Sequence, residues 1–271
     1  MPLKIGLVGC GAIGSEIAKA IDSGEISADL VAVCDHNPKT AMALIDRLQK
    51  KPIKAKLEEL VSLSDVVVEA ASQRAVPAIA RAALAKEGKK LMIMSVGALM
   101  DGNFFREVQD LASRHNSRVF LPSGAIVGLD GIKSASIGTI EKITLTTTKN
   151  PKGLVGAPYI MQQGIDLGAL TQATVIFEGT ASDAVKGFPA NVNVAATLSL
   201  AARDVAVHVK IVADPNIHVN RHEIVVEGEF GNIFTRVENV PSPSNPKTSY
   251  LAALSAIATL RSILEPVKIG T

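Results

Sequence analysis

The hexapeptide Gly9-Cys10-Gly11-Ala12-Ile13-Gly14 is the first stretch of the chain whose residue types and spacing can do chemistry. In a G-x-G-x-x-G turn, one glycine makes the bend, the next lets the backbone approach a pyrophosphate, and the third lets helix and strand pack closely. Ala12 and Ile13 would then open a helix whose free N–H groups and positive dipole end face the phosphates. An acid belongs about 20 residues further on, where it accepts hydrogen bonds from a ribose diol; Asp35 stands 21 residues after Gly14. Its charge would repel a 2′-phosphate and no Arg follows it directly, so the pattern favours NAD over NADP and leaves NADP open. The competing reading of Asp35 is a turn residue ahead of His36-Asn37-Pro38.

Elsewhere the chemistry rests on few groups. His36 and His115 read as a turn and a helix end, and His208 alternates with valines in a strand. His218 and His222 have the i, i+4 spacing of a helical metal pair, but Pro215 and the Val/Ile-rich sequence after Glu223 argue for loop and strand. No third ligand has an obvious spacing, so no metal site is expected. Either histidine suits proton transfer with an amine, an imine or water, because imidazole titrates near physiological pH. Asn191 and Asn193 can cap the apolar helix that follows them or can aim an amide at a carboxamide or a substrate. Cys10 and Cys34 read as small buried hydrophobes on strand ends. Two cysteines build neither a disulfide framework nor a four-ligand zinc site, and a reducing cytoplasm is the expected location.

These groups must be positioned by regular elements. Residues 3–8, 30–34, 65–70, 90–96 and 118–121 are short β-rich apolar runs, and residues 15–21, 40–49, 57–61, 76–86 and 103–115 between them carry helical spacing. Strands alternating with helices predict a parallel, doubly wound sheet with right-handed crossovers. In such a sheet, ligands lie beyond the carboxyl ends of the strands. That rule selects 9–14, Asp35, Ala70-Ala71-Ser72, Ser95-Val96-Gly97-Ala98 and Pro122-Ser123-Gly124-Ala125.

After residue 121 the rhythm changes. Strands rich in Val, Ile and Thr are predicted at 134–137, 142–148, 173–178, 208–213 and 222–229, with helices at 183–188 and 192–202, as in an α+β domain with an open, antiparallel or mixed sheet. The proline-rich break at 241–246 leads to a helix expected to start at Pro246, capped by Ser244 or Asn245. Residues 250–264 are apolar nearly all round, so that helix should be buried, returning to the first domain. The expected division is a dinucleotide-binding domain over 1–122 joined by 245–271, and a catalytic and oligomerisation domain over 123–244.

Composition excludes other classes. The 271 residues are 47% apolar and carry 28 Lys+Arg against 26 Asp+Glu, a net charge of +2, which is too apolar and too neutral for a disordered chain. Interspersed charges, no Trp and two Tyr argue against nucleic acid as a partner. The apolar runs at 195–202 and 251–260 fall short of the roughly 20 residues a bilayer span needs, and the first residues lack the features of a signal peptide.

The chain resembles the L-aspartate dehydrogenase family of NAD biosynthesis along nearly its whole length. The resemblance is carried by IGLVGCGAIG at 5–14, VVEAAS at 67–72, SVGAL at 95–99, PSGAIVGLDGIKSA at 122–135 and TTTKNP at 146–151. It continues through FPANVNVAATLSLA at 188–201, Asn220-Arg221-His222-Glu223-Ile224 and NPKTSYLAALSAIATLR at 245–261. It implies a Rossmann domain followed by a mixed α/β catalytic domain. It also implies cofactor contacts from Ala125 and Asn191, beside those of Gly9, Gly11, Ala12, Ile13, Gly14, Asp35, Ala71, Ser72 and Ala98. The family's catalytic histidine lies two residues after an asparagine and before an acid and an aliphatic, which matches His222 rather than His218.

The implied reaction oxidises L-aspartate to iminoaspartate, which hydrolyses to oxaloacetate and ammonia or passes to quinolinate synthesis. His222 would accept a proton from the substrate ammonium or activate water against the imine. Lys149, Arg221 and His218 are the candidate cations for the two substrate carboxylates. A homodimer and a functional link to quinolinate synthase are expected. The alternatives are another Rossmann oxidoreductase acting on a small amino or dicarboxylic acid, and a non-catalytic NAD-binding module in which His222 is structural.

Overall fold

The computed structural model describes residues 2–189, 193–203, 205–242 and 245–270. The chain divides into two units, Met1–Pro122 with Ala253–Val267 and Ser123–Ala252 with Lys268–Thr271.

The first unit is built on β1 (Leu3–Val8), α1 (Ala12–Asp22), β2 (Ala28–Cys34), α2 (Pro38–Arg47), β3 (Ile53–Lys54), α3 (Leu57–Leu63), β4 (Val66–Glu69), α4 (Val76–Leu84), β5 (Lys90–Ile93), α5 (Gly102–Arg114) and β6 (Arg118–Phe120). The six strands run parallel in the order β3-β2-β1-β4-β5-β6. Every residue of β4 is buried, as a central strand covered by helices on both faces requires. The chain winds outward from β1 through β3, then returns to β4 and winds the other way. The reversal places the ligand crevice of such a sheet at the carboxyl ends of β1 and β4.

The second unit carries α6 (Leu129–Ala135), β7 (Ile140–Lys149), α7 (Pro158–Gln163), β8 (Thr174–Thr180), α8 (Ala181–Gly187), α9 (Asn193–Ala201), β9 (Val207–Ala213), β10 (Asn220–Gly228), β11 (Gly231–Asn239), β12 (Pro241–Ser242) and β13 (Asn245–Ser249). Its five-stranded sheet has the order β11-β10-β7-β9-β8, with β7 and β9 parallel and the other pairs antiparallel. Alternate residues of β10 and β9 are buried, so one face of the sheet is covered and the other is more open. Tyr159, Phe177 and Phe188 form an aromatic cluster with ring centroids 5.2–5.6 Å apart, which joins α7, β8 and the end of α8.

Several elements differ from expectation. The second sheet is mixed, one of the two forms expected, because the connection from β7 to β9 returns the chain in the same direction; the departures lie elsewhere. Residues 134–137 are the end of α6 and a turn, not a strand. Ser134 Oγ donates to the Asp130 carbonyl and Ser136 Oγ to that of Lys133, local bonds that compete with a sheet ladder. β11 was missed because its burial is partial, with Asn232, Arg236 and Glu238 exposed beside Phe234.

The final helix, α10 (Tyr250–Leu264), begins at Tyr250 and not at Pro246. Residues 245–249 pair instead with 241–242 as a two-stranded ribbon, where a proline without an N–H is tolerated at an edge; Ser244, the other expected cap, lies outside the described residues. Ala256, Ile257 and Leu260 of α10 are buried in the same apolar cluster as Leu7, Ile17 and Val33. Leu260→Ala should therefore destabilise the first unit by about 2–5 kcal/mol in denaturant unfolding. An unchanged midpoint would show that α10 contributes no core.

Candidate active site

At the carboxyl end of β1 the chain bends through Gly9, whose φ of +98° is one that side chains rarely adopt. A Cβ at Gly9 would stand 2.4 Å from the Ala70 carbonyl oxygen, and one at Gly14 would stand 2.0 Å from that of Gly9. These two glycines are required by backbone approaching backbone. Gly11 is different: nothing lies within 4 Å of where its Cβ would be, which leaves the surface of the turn open to a phosphate. Ala12, Ile13 and Gly14 form the first turn of α1, with no side-chain cap on its N-terminus.

Asp35 follows β2 and is almost wholly buried, at 7% side-chain exposure. One carboxylate oxygen accepts from the Cys10 N–H at 2.8 Å and the other from the Asn37 N–H at 2.8 Å. The acid therefore ties the glycine turn to the end of β2 and also makes the turn that was its competing reading. Burial, and then the Asp35 charge, pushes the Cys10 thiol up to about 12, so it stays protonated and unreactive.

The first unit also holds a residue that sequence reasoning missed. Glu69, at the end of β4, is completely buried. It accepts from the backbone N–H groups of Ala71 at 2.8 Å, Met94 at 3.1 Å and Ser95 at 2.9 Å, and from Ser95 Oγ at 2.8 Å. Burial raises its carboxyl above the ordinary glutamate value, and these hydrogen bonds pull the other way. The brace fixes the start of the 70–72 turn, where Ala71 and Ser72 are exposed, to the 94–95 turn that leads to Ala98. An acid in the interior of an apolar run, as in DVVVEA, was the available signal.

In the second unit, His222 is 2% exposed on the covered face of β10. Its Nδ1 lies 3.0 Å from the Oγ1 of Thr147, its cross-strand partner on β7. Lys149, two residues along β7 on the same face, is 6% exposed. Burial pushes its ammonium down to about 8. Burial, and then the Lys149 charge, pushes His222 down to about 3, so its imidazole is neutral at working pH. Two residues before His222 on the same strand, Asn220 donates through Nδ2 to Ser249 Oγ at 3.3 Å.

The structure does not bring every candidate together. Arg221 alternates to the opposite face of β10 from His222, where its Nε meets Glu238 at 2.9 Å; Arg236 binds the same carboxylate at 2.6 Å. Adjacent residues on a strand cannot share a face, so Arg221 is withdrawn as a partner of His222. His218 is exposed and lines a cavity of about 730 Å³ with Asn150, Lys152, Ile217 and Asn220. Ala125 is buried, and its carbonyl accepts from Asn239 Nδ2 at 2.9 Å. Asn191 lies outside the described residues. His208 pairs with Glu178 at 2.8 Å, and His36 sits in the turn beside Asp35.

Residues 9–122 match the family model "Homoserine dehydrogenase, NAD binding domain", and residues 130–263 match "Aspartate dehydrogenase, C-terminal". An L-aspartate dehydrogenase of Methanosarcina mazei is 56% identical over 271 residues, spanning 99% of this chain and 100% of the relative. One from Nitrosopumilus maritimus is 44% identical, spanning 99% of each. The crystal structure of aspartate dehydrogenase from Thermotoga maritima superposes with a TM-score of 0.78 at 27% identity, covering all of both chains. A scyllo-inositol dehydrogenase of Lactobacillus casei, solved with NAD(H) and scyllo-inositol, shares the fold alone, at a TM-score of 0.55 and 17% identity over 100% of this chain and 92% of that one. With more than half of its residues shared end to end with an L-aspartate dehydrogenase, and both halves matched in order, the chain belongs to the aspartate dehydrogenase family.

Proposed function

We propose that this protein oxidises L-aspartate at the α-carbon to iminoaspartate, which water converts to oxaloacetate and ammonia. The observation that carries the reading is the buried Lys149–His222 pair on one sheet face, within a chain of this family. NAD, when bound, supplies the hydride acceptor, and the open surface at Gly11 together with Asp35 at the end of β2 fits it. Gly9, Gly11, Ala12, Ile13, Gly14, Asp35, Ala71, Ser72 and Ala98 would hold it, with Ala125 and Asn191 at the nicotinamide.

A protonated amine is a poor hydride donor, because its nitrogen has no lone pair to form the imine. His222 is the group that takes this proton. For Nε2 to accept it, Nδ1 must carry the hydrogen and donate to Thr147 Oγ1, a role the hydroxyl can fill as acceptor. Lys149 is a buried cation, and a substrate carboxylate beside it brings an opposite charge. That pairing also cancels the charge that weakens His222, so binding the dicarboxylate makes the imidazole a stronger base. His218, with Lys152 on the same cavity, serves the second carboxylate.

The open face of the second sheet carries Phe234 at 71% and Val175 at 53% exposure among its charges, and a second copy of the chain is the proposed cover. Among the described residues, no helix is long and apolar enough to cross a membrane. Two free thiols fit a reducing cytoplasm. A reactive imine product fits transfer to a quinolinate-forming partner.

Three outcomes test the reading. Wild-type protein should reduce NAD when given L-aspartate, and His222→Ala should lower turnover by about 10²–10⁴-fold while NADH affinity, read by nicotinamide fluorescence, stays unchanged; undiminished turnover would falsify the assignment. Asp35→Ala should narrow the preference for NAD over NADP, measured as a ratio of kcat/KM; an unaltered ratio removes Asp35 from ribose recognition. The third is pH dependence. An unfolded histidine titrates near 6.5 and folded His222 at about 3, so the unfolded chain takes up a proton first as pH falls. Stability is lost from pH ~6.5 down to about 3, and His222→Asn should flatten that limb in unfolding experiments across pH. Parallel curves for the two proteins would mean that His222 is not buried as a neutral ring.

A further inference from the structure

Asn239 is the last residue of β11 and is 3% exposed. It pairs in register with Asn220, which lines the same cavity as His218. Its Nδ2 donates to the Ala125 carbonyl at 2.9 Å, 114 residues away in sequence. A carbonyl only accepts, so this bond fixes which way the amide points and leaves Oδ1 as its other end. That oxygen is buried and has no hydrogen-bond partner among the described residues. Native proteins rarely leave a buried acceptor unpaired, and where one occurs next to a residue that lines a cavity, a ligand is the natural source of the missing donor.

We propose that Asn239 is a ligand-binding residue whose Oδ1 accepts a hydrogen bond from an N–H donor of the bound reactants. Only a donor satisfies an amide oxygen, which excludes the substrate carboxylates. Two N–H donors belong to the reaction: the carboxamide of the nicotinamide ring and the ammonium of the amino acid. The inference rests on the reading above, in which Ala125 lies at the nicotinamide and Lys149 and His222 address the substrate. The other buried orphan among the described residues, Thr235 Oγ1, lies four residues earlier on β11. The Asn239 amide differs from it in being held in a fixed orientation by the Ala125 carbonyl.

The test uses Asn239→Leu, which keeps the side-chain volume and removes both polar atoms, with Asn239→Ser as the second variant should the first not fold. Thermal unfolding establishes folding. NADH binding is then read by nicotinamide fluorescence, repeated with the reduced 3-acetylpyridine analogue, whose methyl ketone has no N–H, and KM is measured for L-aspartate. A loss of about tenfold in NADH affinity, with the analogue binding as it does to wild type, identifies the carboxamide as the donor. A rise of about tenfold or more in the KM for L-aspartate, with both cofactors unaffected, identifies the ammonium. A folded variant with all three values at wild-type level overturns the proposal. So does equal weakening of NADH and the analogue, which would report a displaced Ala125 backbone. If wild-type protein binds NADH but does not oxidise L-aspartate, the functional reading fails by itself and the two cofactor measurements still decide Asn239.

Discussion

Lys149 and His222 are two ionisable side chains on neighbouring strands with almost no water around them, and this burial governs the chemistry of the second unit. Removing a cation from water is costly unless an anion or well-placed dipoles replace the lost hydration. The cost falls on both groups: the lysine is pushed toward losing its proton and the histidine away from gaining one. The result is a buried cation with a neutral imidazole beside it on one sheet face. The strand pleat keeps competing charges away. Arg221 and Arg236 share Glu238 on the opposite face, where they neither neutralise nor repel the buried pair.

The first unit solves a different problem, which is bringing backbone close against backbone at the carboxyl ends of a parallel sheet. Gly9 and Gly14 permit that approach, and Asp35 and Glu69 hold it. Both acids act on backbone N–H groups of the turns rather than on distant partners. Asp35 fastens the glycine turn to β2, and Glu69 fastens the turn after β4 to the turn after β5. A cofactor surface made of small residues has few side chains of its own to lock it, so two nearly or fully buried carboxylates take that role.

The elements of the first unit were legible because each is encoded locally. Val66, Val67 and Val68 in succession mark a strand buried on both faces, and the spacing of Gly9, Gly11 and Gly14 marks the turn between strand and helix. Where the reading failed, long-range pairing or side-chain bonding decided the outcome. Residues 134–137 have strand-like composition, yet serine hydroxyls close a helix end there. Residues 245–249 carry helix-start signals, yet they find partners at 241–242 and the helix waits for Tyr250.

By itself the sequence determined the dinucleotide turn, the acid after β2, the alternation that makes the first sheet parallel, and His222 as the histidine of the matching motif. All of these depend on spacing within about 30 residues. Only the tertiary structure decided which side chains join His222. Thr147 is 75 residues from it and Ala125 is 114 residues from Asn239. Their meeting depends on strand register, which no local pattern states. Register also separated Lys149 from Arg221, two cations that looked equivalent in sequence: one residue along a strand exchanges a covered face for an open one.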